Sequence, residues 1–473
     1  MAGLGKTKRA AATYLLLAAL QRGVSLLILP FISHAMSPAQ YGAASILTVS
    51  ALLLVTIVAA PLEALVFRSS ARGGEDAPAL LRVTGLYCYA VLPLLVAIVA
   101  AGVAVLLPEL FGVDGTIWGI ELLAVGFQPA ATYFALPIVR ALQDLRKFMA
   151  LAFTSVVVTA ISKVLLIVVW DFGVLGWAIS DLLSAIVSAA LAMALVRLPR
   201  ARVSTTHIRA VVNFSIPLIP HRASFWALSS LSRPALATVS SLTQVGLLSF
   251  GLNIAAVANL ILLEIHQAFL PRYSRENFPA PTQETYAPVR WQLILAVTVP
   301  ALVGAGLALT GQWIFAEPFW PSFALTGVLL VGQAACGLYL IPINYLVQSA
   351  GLPRLSAIAS GSGALLILVG IYAVGRQFGA MGVAYATSVG FLVMAVVALI
   401  LTRAIKLEIH WGSWRNCWPE LSVGTASLAC SVAALSLPVG SALSWGSAAT
   451  CLVLVVSTLT ITYRRHSLGA SGI

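Results

Sequence analysis

Long apolar runs, separated by short polar segments, follow one another along the whole chain. Most of them contain about 20 residues, the length that an α-helix needs to cross the hydrocarbon core of a bilayer. A transmembrane β-barrel would instead show segments of about ten residues with alternating polarity, and the sequence contains none. The pattern therefore predicts an all-α polytopic membrane protein with fourteen transmembrane helices, over residues 10–34, 40–67, 83–107, 116–142, 148–170, 174–197, 210–238, 243–270, 288–310, 319–346, 354–374, 380–403, 420–437 and 441–463.

The composition also indicates that lipid is the solvent of this chain. Of its 473 residues, 60% are hydrophobic and 9% are charged, and the mean hydropathy is +0.99. A soluble protein carries about 25% charged residues, so this chain has too few to cover a surface that faces water. The five cysteines are scattered without a CxxC pair, which predicts neither a disulfide framework nor a metal site. The sequence has no nucleotide-binding loop, and we expect no cofactor.

The distribution of Lys and Arg predicts the orientation in the membrane. With the N-terminus in the cytoplasm, 22 of the 27 basic residues fall in cytoplasmic segments, as the positive-inside rule requires. The net charge of +12 has the same origin, so it does not indicate a nucleic-acid partner. We expect a multi-pass protein of the bacterial cytoplasmic membrane with both termini inside. Its first apolar run is expected to remain as a helix rather than to be cleaved as a signal peptide.

An internal repeat divides the chain. Sliding the sequence against itself by 204 residues aligns Pro30 with Pro234, Ser37 with Ser241, Gln40 with Gln244 and Arg68 with Arg272. A shift of 206 aligns Gly173 with Gly379 and Gly176 with Gly382. Each copy holds six helices, so both copies enter the membrane in the same direction, and parallel repeats of this kind place the substrate path at their interface. We expect two six-helix lobes around a central cavity, over residues 1–205 and 206–405, and then a linker and two further helices over 406–473.

Two segments carry a family pattern. In PFISHAMSPAQYGAAS, from Pro30 to Ser45, a first helix ends in Pro and leads through a short turn to Tyr-Gly. Between Phe214 and Ser249, IPL opens the seventh helix and QVGLLS opens the eighth. Over about the first 400 residues the sequence resembles the polysaccharide-biosynthesis flippases of the multidrug/oligosaccharidyl-lipid/polysaccharide exporter superfamily. It departs from them where Ser232-Arg233 replaces a frequent Asp-Arg.

This resemblance implies a transport function. The expected activity is translocation of an undecaprenyl-diphosphate-linked oligosaccharide across the cytoplasmic membrane by alternating access, for the synthesis of O-antigen lipopolysaccharide or exopolysaccharide. The implied partners are the lipid-linked oligosaccharide, the membrane lipids and other polysaccharide-assembly proteins, with no nucleic acid.

Buried positive charge is a candidate for cargo binding, because a charge near the middle of a bilayer is costly unless it faces protein, water or a partner. Arg22 and Arg222 lie at similar depth in the first helix of each repeat, roughly 18 Å from the cytoplasmic end. Arginine binds a diphosphate through bidentate, charge-assisted hydrogen bonds. We interpret Arg22, Arg222, the adjoining His221 and the helix-end Arg233 as candidate contacts of an anionic diphosphate head group. The alternative for an arginine of this kind is a neighbouring carbonyl or carboxylate.

Three other ionisable residues fall in helices four to six. Lys163 and Asp181 have matched depths in helices five and six, which predicts an interhelical ion pair with a structural role. Glu121 lies near the start of helix four, and we expect it to be solvated.

Two acidic residues occupy similar places in the two repeats. Glu63 and Glu264 lie near the cytoplasmic ends of helices two and eight. They are candidate gate residues or proton sites, and interfacial salt bridges to Arg68 and Arg272 are the alternative.

Two other classes of function remain open. A multidrug cation antiporter of the same superfamily needs an acidic residue deep in the first lobe, whereas helix one offers Arg22 and no carboxylate. A membrane-embedded glycan-modifying enzyme needs clustered His, Asp or Glu or a large outer loop. The six histidines form no cluster, and the outer loops contain about ten residues at most. The sequence therefore favours a flippase over an enzyme.

Overall fold

Helices form nearly all of the regular structure. The computed structural model describes residue 23 and residues 26–280, 282–409 and 412–470. The chain forms two compact units, Met1–Pro234 and Ala235–Ile473. Within the described ranges, the only strands are β1, Glu109–Leu110, and β2, Val113–Asp114, which pair antiparallel as a small hairpin.

The first unit contains nine helices among its described residues. They are α1 Leu26–Ala35, α2 Pro38–Val58, α3 Leu62–Arg72, α4 Ala77–Leu106, α5 Gly115–Ala141, α6 Leu145–Val169, α7 Gly173–Leu195, α8 Thr205–Ser215 and α9 Ile219–Ser230. The β1–β2 hairpin connects α4 to α5, and a turn of 3-10 helix, Ile216–Leu218, connects α8 to α9. A short helix, α10 Ser232–Ala237, contains the residues on either side of the division between the units.

The second unit contains the longer helices. They are α11 Leu242–Tyr273, α12 Tyr286–Ile314, α13 Glu317–Ser349, α14 Pro353–Ala404, α15 Gly412–Ser436 and α16 Ala442–Ala470. A turn of 3-10 helix, Gln283–Thr285, precedes α12.

The polytopic helical architecture predicted from hydropathy is confirmed. In the part of the chain that the structure describes, ten helices are long and apolar enough to cross a membrane. Helix α14 has 52 residues and contains two of the predicted spans. Gly379 adopts φ 56° and ψ −135° inside it, and the resulting kink separates the two helical segments. This kink falls between the predicted spans 354–374 and 380–403.

Two of the predicted spans are wrong in detail, because prolines divide them. The predicted helix 40–67 is α2 and α3, with Pro61 directly before the first residue of α3. The predicted helix 210–238 falls within α8, α9 and α10, and Pro217 and Pro220 lie where the chain passes from α8 into α9. Proline has no backbone N–H and cannot continue an α-helix without loss of a hydrogen bond. Both divisions start a new helix inside an apolar run.

The internal repeat is visible in matching local structure. Ser37 and Ser241 begin α2 and α11, and each accepts a hydrogen bond at its hydroxyl from the backbone N–H of the glutamine three residues later, at 3.3 and 3.4 Å. A Cβ at Gly176 would lie 2.9 Å from the carbonyl oxygen of Leu166, and one at Gly382 would lie 2.7 Å from that of Val374. Both glycines allow the same close approach to the preceding helical segment, so the two copies fold alike here.

The first unit includes the start of the second sequence repeat. Helix α8 packs on α4 and helix α9 packs on α2. The indole N–H of Trp226 in α9 donates a hydrogen bond to the carbonyl of Val49 in α2 at 2.8 Å. The packing unit therefore ends at Pro234, whereas the lobe boundary predicted from the repeat lies at residues 205–206.

A buried ion pair and aromatic packing organise the second unit. Arg290 in α12 donates a hydrogen bond to the carboxylate of Glu420 in α15 at 3.0 Å, and Glu420 has no exposed surface. The rings of Phe250 and Phe319 lie 4.7 Å apart between their centroids. The ion pair joins α15 to α12, and the aromatic contact joins α11 to α13.

Candidate functional site

Two arginines and one glutamate come together in the first unit; we call them the Arg222 cluster. Glu63 lies in the first turn of α3, and Arg222 is the fourth residue of α9. Arg140 is in the last turn of α5. The proline divisions described above start α3 and α9 close to these two residues. The cluster therefore depends on both helix interruptions.

Glu63 is the shared acceptor of this cluster. A guanidinium nitrogen of Arg222 lies 3.1 Å from Glu63 Oε2, and one of Arg140 lies 3.8 Å from Glu63 Oε1. A carboxylate in the first turn of a helix is stabilised by the helix dipole, whereas a cation there is destabilised. The ion pair with Glu63 therefore compensates for the unfavourable interaction between Arg222 and the dipole of α9. The three side chains are between 31% and 49% exposed, which leaves them accessible to a ligand.

The observed partners differ from the alternative expected for Glu63. A salt bridge to Arg68 was expected from their proximity in sequence, and the structure pairs Glu63 with Arg222 and Arg140 instead. For Arg222 the structure contains the carboxylate partner that was the alternative to a cargo contact. Glu264, the other candidate gate residue, is partly buried in α11 of the second unit.

The other predicted cargo contacts lie apart from this cluster or outside the residues that the structure describes. Arg22 lies outside the described residues, and His221 is described only as a backbone position in α9. Arg233 lies in α10, partly buried and close to Tyr41. The eleven residues from Arg222 to Arg233 correspond to about 16 Å of helix. Instead, the structure brings Arg222 together with Arg140, which the sequence indicated only as part of the cytoplasmic positive charge.

Lys163 and Asp181 are ion-paired within the first unit. Lys163 Nζ lies 3.1 Å from Asp181 Oδ1 and 3.5 Å from the ring centroid of Trp177. Lys163 ends the regular α-helical part of α6, and a π-helical turn, Val164–Val169, follows it directly. The lysine is 8% exposed, so its charge is balanced by the carboxylate and the indole face rather than by water.

The expectation that Glu121 is solvated is wrong. Glu121 is 3% exposed, and its Oε2 atom has no hydrogen-bond partner in the part of the chain that the structure describes. It lies in α5, which packs against α4 and α7. Gly119, two residues earlier, lies so close to α4 that a Cβ there would be 3.0 Å from the carbonyl oxygen of Ala100. Close helix packing, which depth along one helix does not reveal, removes this carboxyl from bulk water.

Known proteins share the sequence pattern and the fold of this chain. Residues 8–276, more than half of the chain, match the family described as polysaccharide biosynthesis protein. The chain belongs to this family. The resemblance inferred from the Pro30–Ser45 and Phe214–Ser249 segments is thereby confirmed. Among curated proteins, none matches the sequence.

Solved structures of the same fold are transporters and a flippase. The structure is similar to "Lipid II flippase MurJ, inward closed conformation", with a TM-score of 0.72 at 14% identity, covering 96% of this chain and 99% of that one. An inward-facing multidrug resistance MATE family transporter of the MOP superfamily gives a TM-score of 0.59 at 15% identity, covering 81% and 94%. The Vibrio cholerae MATE transporter VcmN gives 0.53 at 14% identity, covering 85% and 99%. At these identities the similarity shows the fold.

The chemistry available at the Arg222 cluster is anion binding. Two guanidinium groups share one carboxylate, which leaves one positive charge in excess. Arginine presents several N–H donors in a planar fork, and it binds phosphate and carboxylate oxygens with matched geometry. Among the described residues, no group of three or more His, Cys, Asp and Glu side chains is placed to hold a metal ion.

Proposed function

We propose that this protein flips an undecaprenyl-diphosphate-linked oligosaccharide from the inner to the outer leaflet of the bacterial cytoplasmic membrane, to supply O-antigen or exopolysaccharide synthesis. Membership of the polysaccharide biosynthesis family supports a glycan cargo. The likeness in fold to a lipid II flippase over 96% of the chain supports a cargo with a lipid carrier.

The Arg222 cluster is the observation that carries this proposal. Its excess positive charge suits an anionic head group, and its partial exposure leaves the guanidinium of Arg222 within reach of a ligand. A diphosphate offers more oxygen acceptors than one carboxylate, and charge-assisted bidentate hydrogen bonds to Arg are among the strong ones. The diphosphate would displace Glu63 from Arg222 and Arg140, and Glu63 would hold both arginines again after release.

The remaining charged residues have proposed roles around this exchange. Arg22, His221 and Arg233 are further contacts of the diphosphate or of the first sugar. Glu63 and Glu264 act as gate residues, since Glu63 lies in the first turn of α3 and Glu264 lies near the predicted cytoplasmic end of helix eight. Lys163 and Asp181 hold α6 and α7 together.

The test is flipping by the purified full-length protein in proteoliposomes. A fluorescent polyprenyl-diphosphate-linked sugar is the probe, and a membrane-impermeant quencher reports its transfer between leaflets. Proteoliposomes should exchange the probe faster than protein-free liposomes. A hydrogen bond to a charged group contributes about 1.5–3 kcal/mol, so Arg222→Ala should slow exchange by about tenfold or more. Arg222→Lys should restore part of the rate, because a point charge replaces the bidentate fork.

Arg146→Ala is the matched control. Arg146 is an exposed arginine at the start of α6, five residues after the end of α5. Its removal should leave exchange at the wild-type rate. Absence of probe exchange by the wild-type protein, together with expulsion of a fluorescent cation such as ethidium, would overturn the flippase proposal in favour of a cation antiporter.

A further inference from the structure

A polar cavity lies within the first unit, apart from the Arg222 cluster. It has a volume of about 280 Å³ and is lined by residues of α2, α5, α6 and α7. Its ionisable lining residues are Glu121, Lys163 and Asp181, and its hydroxyl groups include those of Thr159, Ser184 and Ser188. Since a water molecule takes about 30 Å³ of liquid volume, the cavity has room for several.

Two polar atoms in this cavity lack hydrogen-bond partners among the described residues. They are Glu121 Oε2 and Ser188 Oγ, and both are buried. The neighbouring hydroxyls are satisfied, since Thr159 Oγ1 and Ser184 Oγ lie 2.7 Å apart. A buried polar group without a partner costs free energy, so Glu121 Oε2 needs a hydrogen-bond partner that the cavity can hold.

The charges that face the cavity do not balance. Lys163 supplies one positive charge, and Asp181, 3.1 Å from its ammonium group, already neutralises it. Ionised Glu121 would add a second negative charge, 3% exposed, with no cation of its own among the described residues. An uncompensated carboxylate in a low-dielectric interior is very costly. Among the described residues that line the cavity, one unit of positive charge is therefore missing.

We propose that Glu121 binds a proton in this cavity and carries it as a neutral carboxylic acid, in a site that goes beyond the flippase activity. The proton resides on a carboxyl oxygen of Glu121, and the acid O–H then donates to water or to a cavity oxygen. When the proton leaves, the new carboxylate competes with Asp181 for the ammonium group of Lys163. The site would thus couple proton binding to the contact between α6 and α7.

The surroundings of Glu121 favour a proton over a metal ion. No group of three or more His, Cys, Asp and Glu side chains in the described ranges is placed to hold a metal. Asp181, the other carboxylate of the cavity, is occupied by Lys163. A bound metal ion would also lie close to that ammonium group and be repelled by it.

Among the described residues, the helices packed around Glu121 bring two charged groups to it. Lys163 comes from α6 and Asp181 from α7, and both act electrostatically on Glu121. Helix α2 contributes Thr48 and apolar residues to the cavity. Helix α4 meets α5 through Ala100 and Ala104 beside Gly119. Within the described part of the chain, proton occupancy should therefore follow the charge balance of Glu121, Lys163 and Asp181.

Infrared difference spectroscopy of the purified full-length protein tests this charge balance at neutral pH, through the C=O stretch of protonated side-chain carboxyls. The wild type should show the C=O band of one buried carboxylic acid. This acid band should be lost in Glu121→Gln, so it should appear in the difference spectrum between the two proteins. In Asp181→Asn the lysine balances Glu121, so the acid band should also be lost. In Lys163→Met neither carboxylate has a cation, so the band should grow to about twice the wild-type intensity.

Glu109→Gln is the control, since Glu109 is an exposed carboxyl in the β1–β2 hairpin and should not change the band. The proposal is wrong if the acid band persists in Glu121→Gln. It is also wrong if replacement of K⁺ by Na⁺ abolishes the band in the wild type, which would indicate a metal cation. Neither result bears on glycan flipping, which the proteoliposome assay measures separately.

Discussion

Arg222 and Glu63 form an ion pair at 3.1 Å although 159 residues separate them in the sequence. Arg222 belongs to the first helical segment of the second sequence repeat, and Glu63 belongs to the first repeat. The pair is therefore part of the packing that holds α9 within the first unit, together with the hydrogen bond from Trp226 to Val49. It also places a guanidinium group at a partly exposed position where an anion can reach it.

The equivalent glycines Gly176 and Gly382 provide a stability test of the repeat. Alanine at either position would bring Cβ within 2.9 Å or 2.7 Å of a carbonyl oxygen. Overpacking of this kind costs about 1–3 kcal/mol. Gly176→Ala and Gly382→Ala should each lower the thermal unfolding midpoint of the detergent-solubilised protein, and by similar amounts.

Gly102→Ala and Gly361→Ala are the matched controls for these substitutions. Both glycines are in helices, α4 and α14, and a Cβ at either meets no atom within 4 Å. Alanine is favoured over glycine in a helix by up to about 1 kcal/mol, so the controls should keep or raise the unfolding midpoint. If alanine changed the unfolding midpoint equally at all four positions, the close approach of a carbonyl oxygen to Gly176 and Gly382 would be contradicted.

The buried pair of Lys163 and Asp181 should be sensitive to removal of one partner. Breaking a buried ion pair costs about 3–5 kcal/mol, because the remaining group must either stay charged without a partner or take up a proton, whereas apolar replacement of both partners is often neutral. Lys163→Met alone should therefore destabilise the protein more than Lys163→Met combined with Asp181→Leu. Thermal unfolding of the three proteins in detergent measures the difference.

An exposed pair serves as the reference for that comparison. Lys147 lies 3.3 Å from Asp144, three residues earlier, and its side chain is 46% exposed. Lys147→Met should leave the unfolding midpoint unchanged, since exposed pairs contribute little. A larger effect at Lys147 than at Lys163 would show that the Lys163 pair is not buried as the structure has it.

The hydrophobic pattern predicted most of the fold. Long apolar runs specify membrane-spanning helices because backbone groups in lipid need internal partners, and the repeat matches at Gln40, Gln244 and Gly379 mark real turns. In the second repeat, Gln244 accepts a hydrogen bond from the backbone N–H of Ala380 at 2.9 Å, beside the kink at Gly379. The positive φ of Gly379 is a local signal that the sequence contains, whereas its contact with Gln244, 136 residues earlier than Ala380, was visible only through the repeat.

The candidate site was only partly predictable. Arg222 was identified by its rarity in an apolar run, but its pairing with Glu63 and Arg140 depends on how three distant helices pack. Glu121 was missed because it lies about 9 Å from the start of α5, a depth that fits either water or protein as its neighbour. The rule that ionisable residues within spans are functional candidates would have identified it, had the packing against α4 and α7 been known.

Glu63→Gln should strengthen binding of an anionic head group at the Arg222 cluster. The carboxylate competes with phosphate for Arg222 and Arg140, and the amide keeps its shape without its charge. Loss of one exposed charge interaction amounts to on the order of 1 kcal/mol, which corresponds to about a fivefold lower Kd since about 1.4 kcal/mol is tenfold. Binding of a fluorescent polyprenyl diphosphate to the detergent-solubilised protein measures this change.

Glu75→Gln, at an exposed glutamate in the α3–α4 loop, is the control and should bind as the wild type does. If Glu63→Gln instead weakens binding while Arg222→Ala has no effect, Glu63 contacts the cargo itself and the arginines do not. Release should slow in the Glu63→Gln protein, because no carboxylate is present to recapture the guanidinium groups, so flipping should fall even as affinity rises.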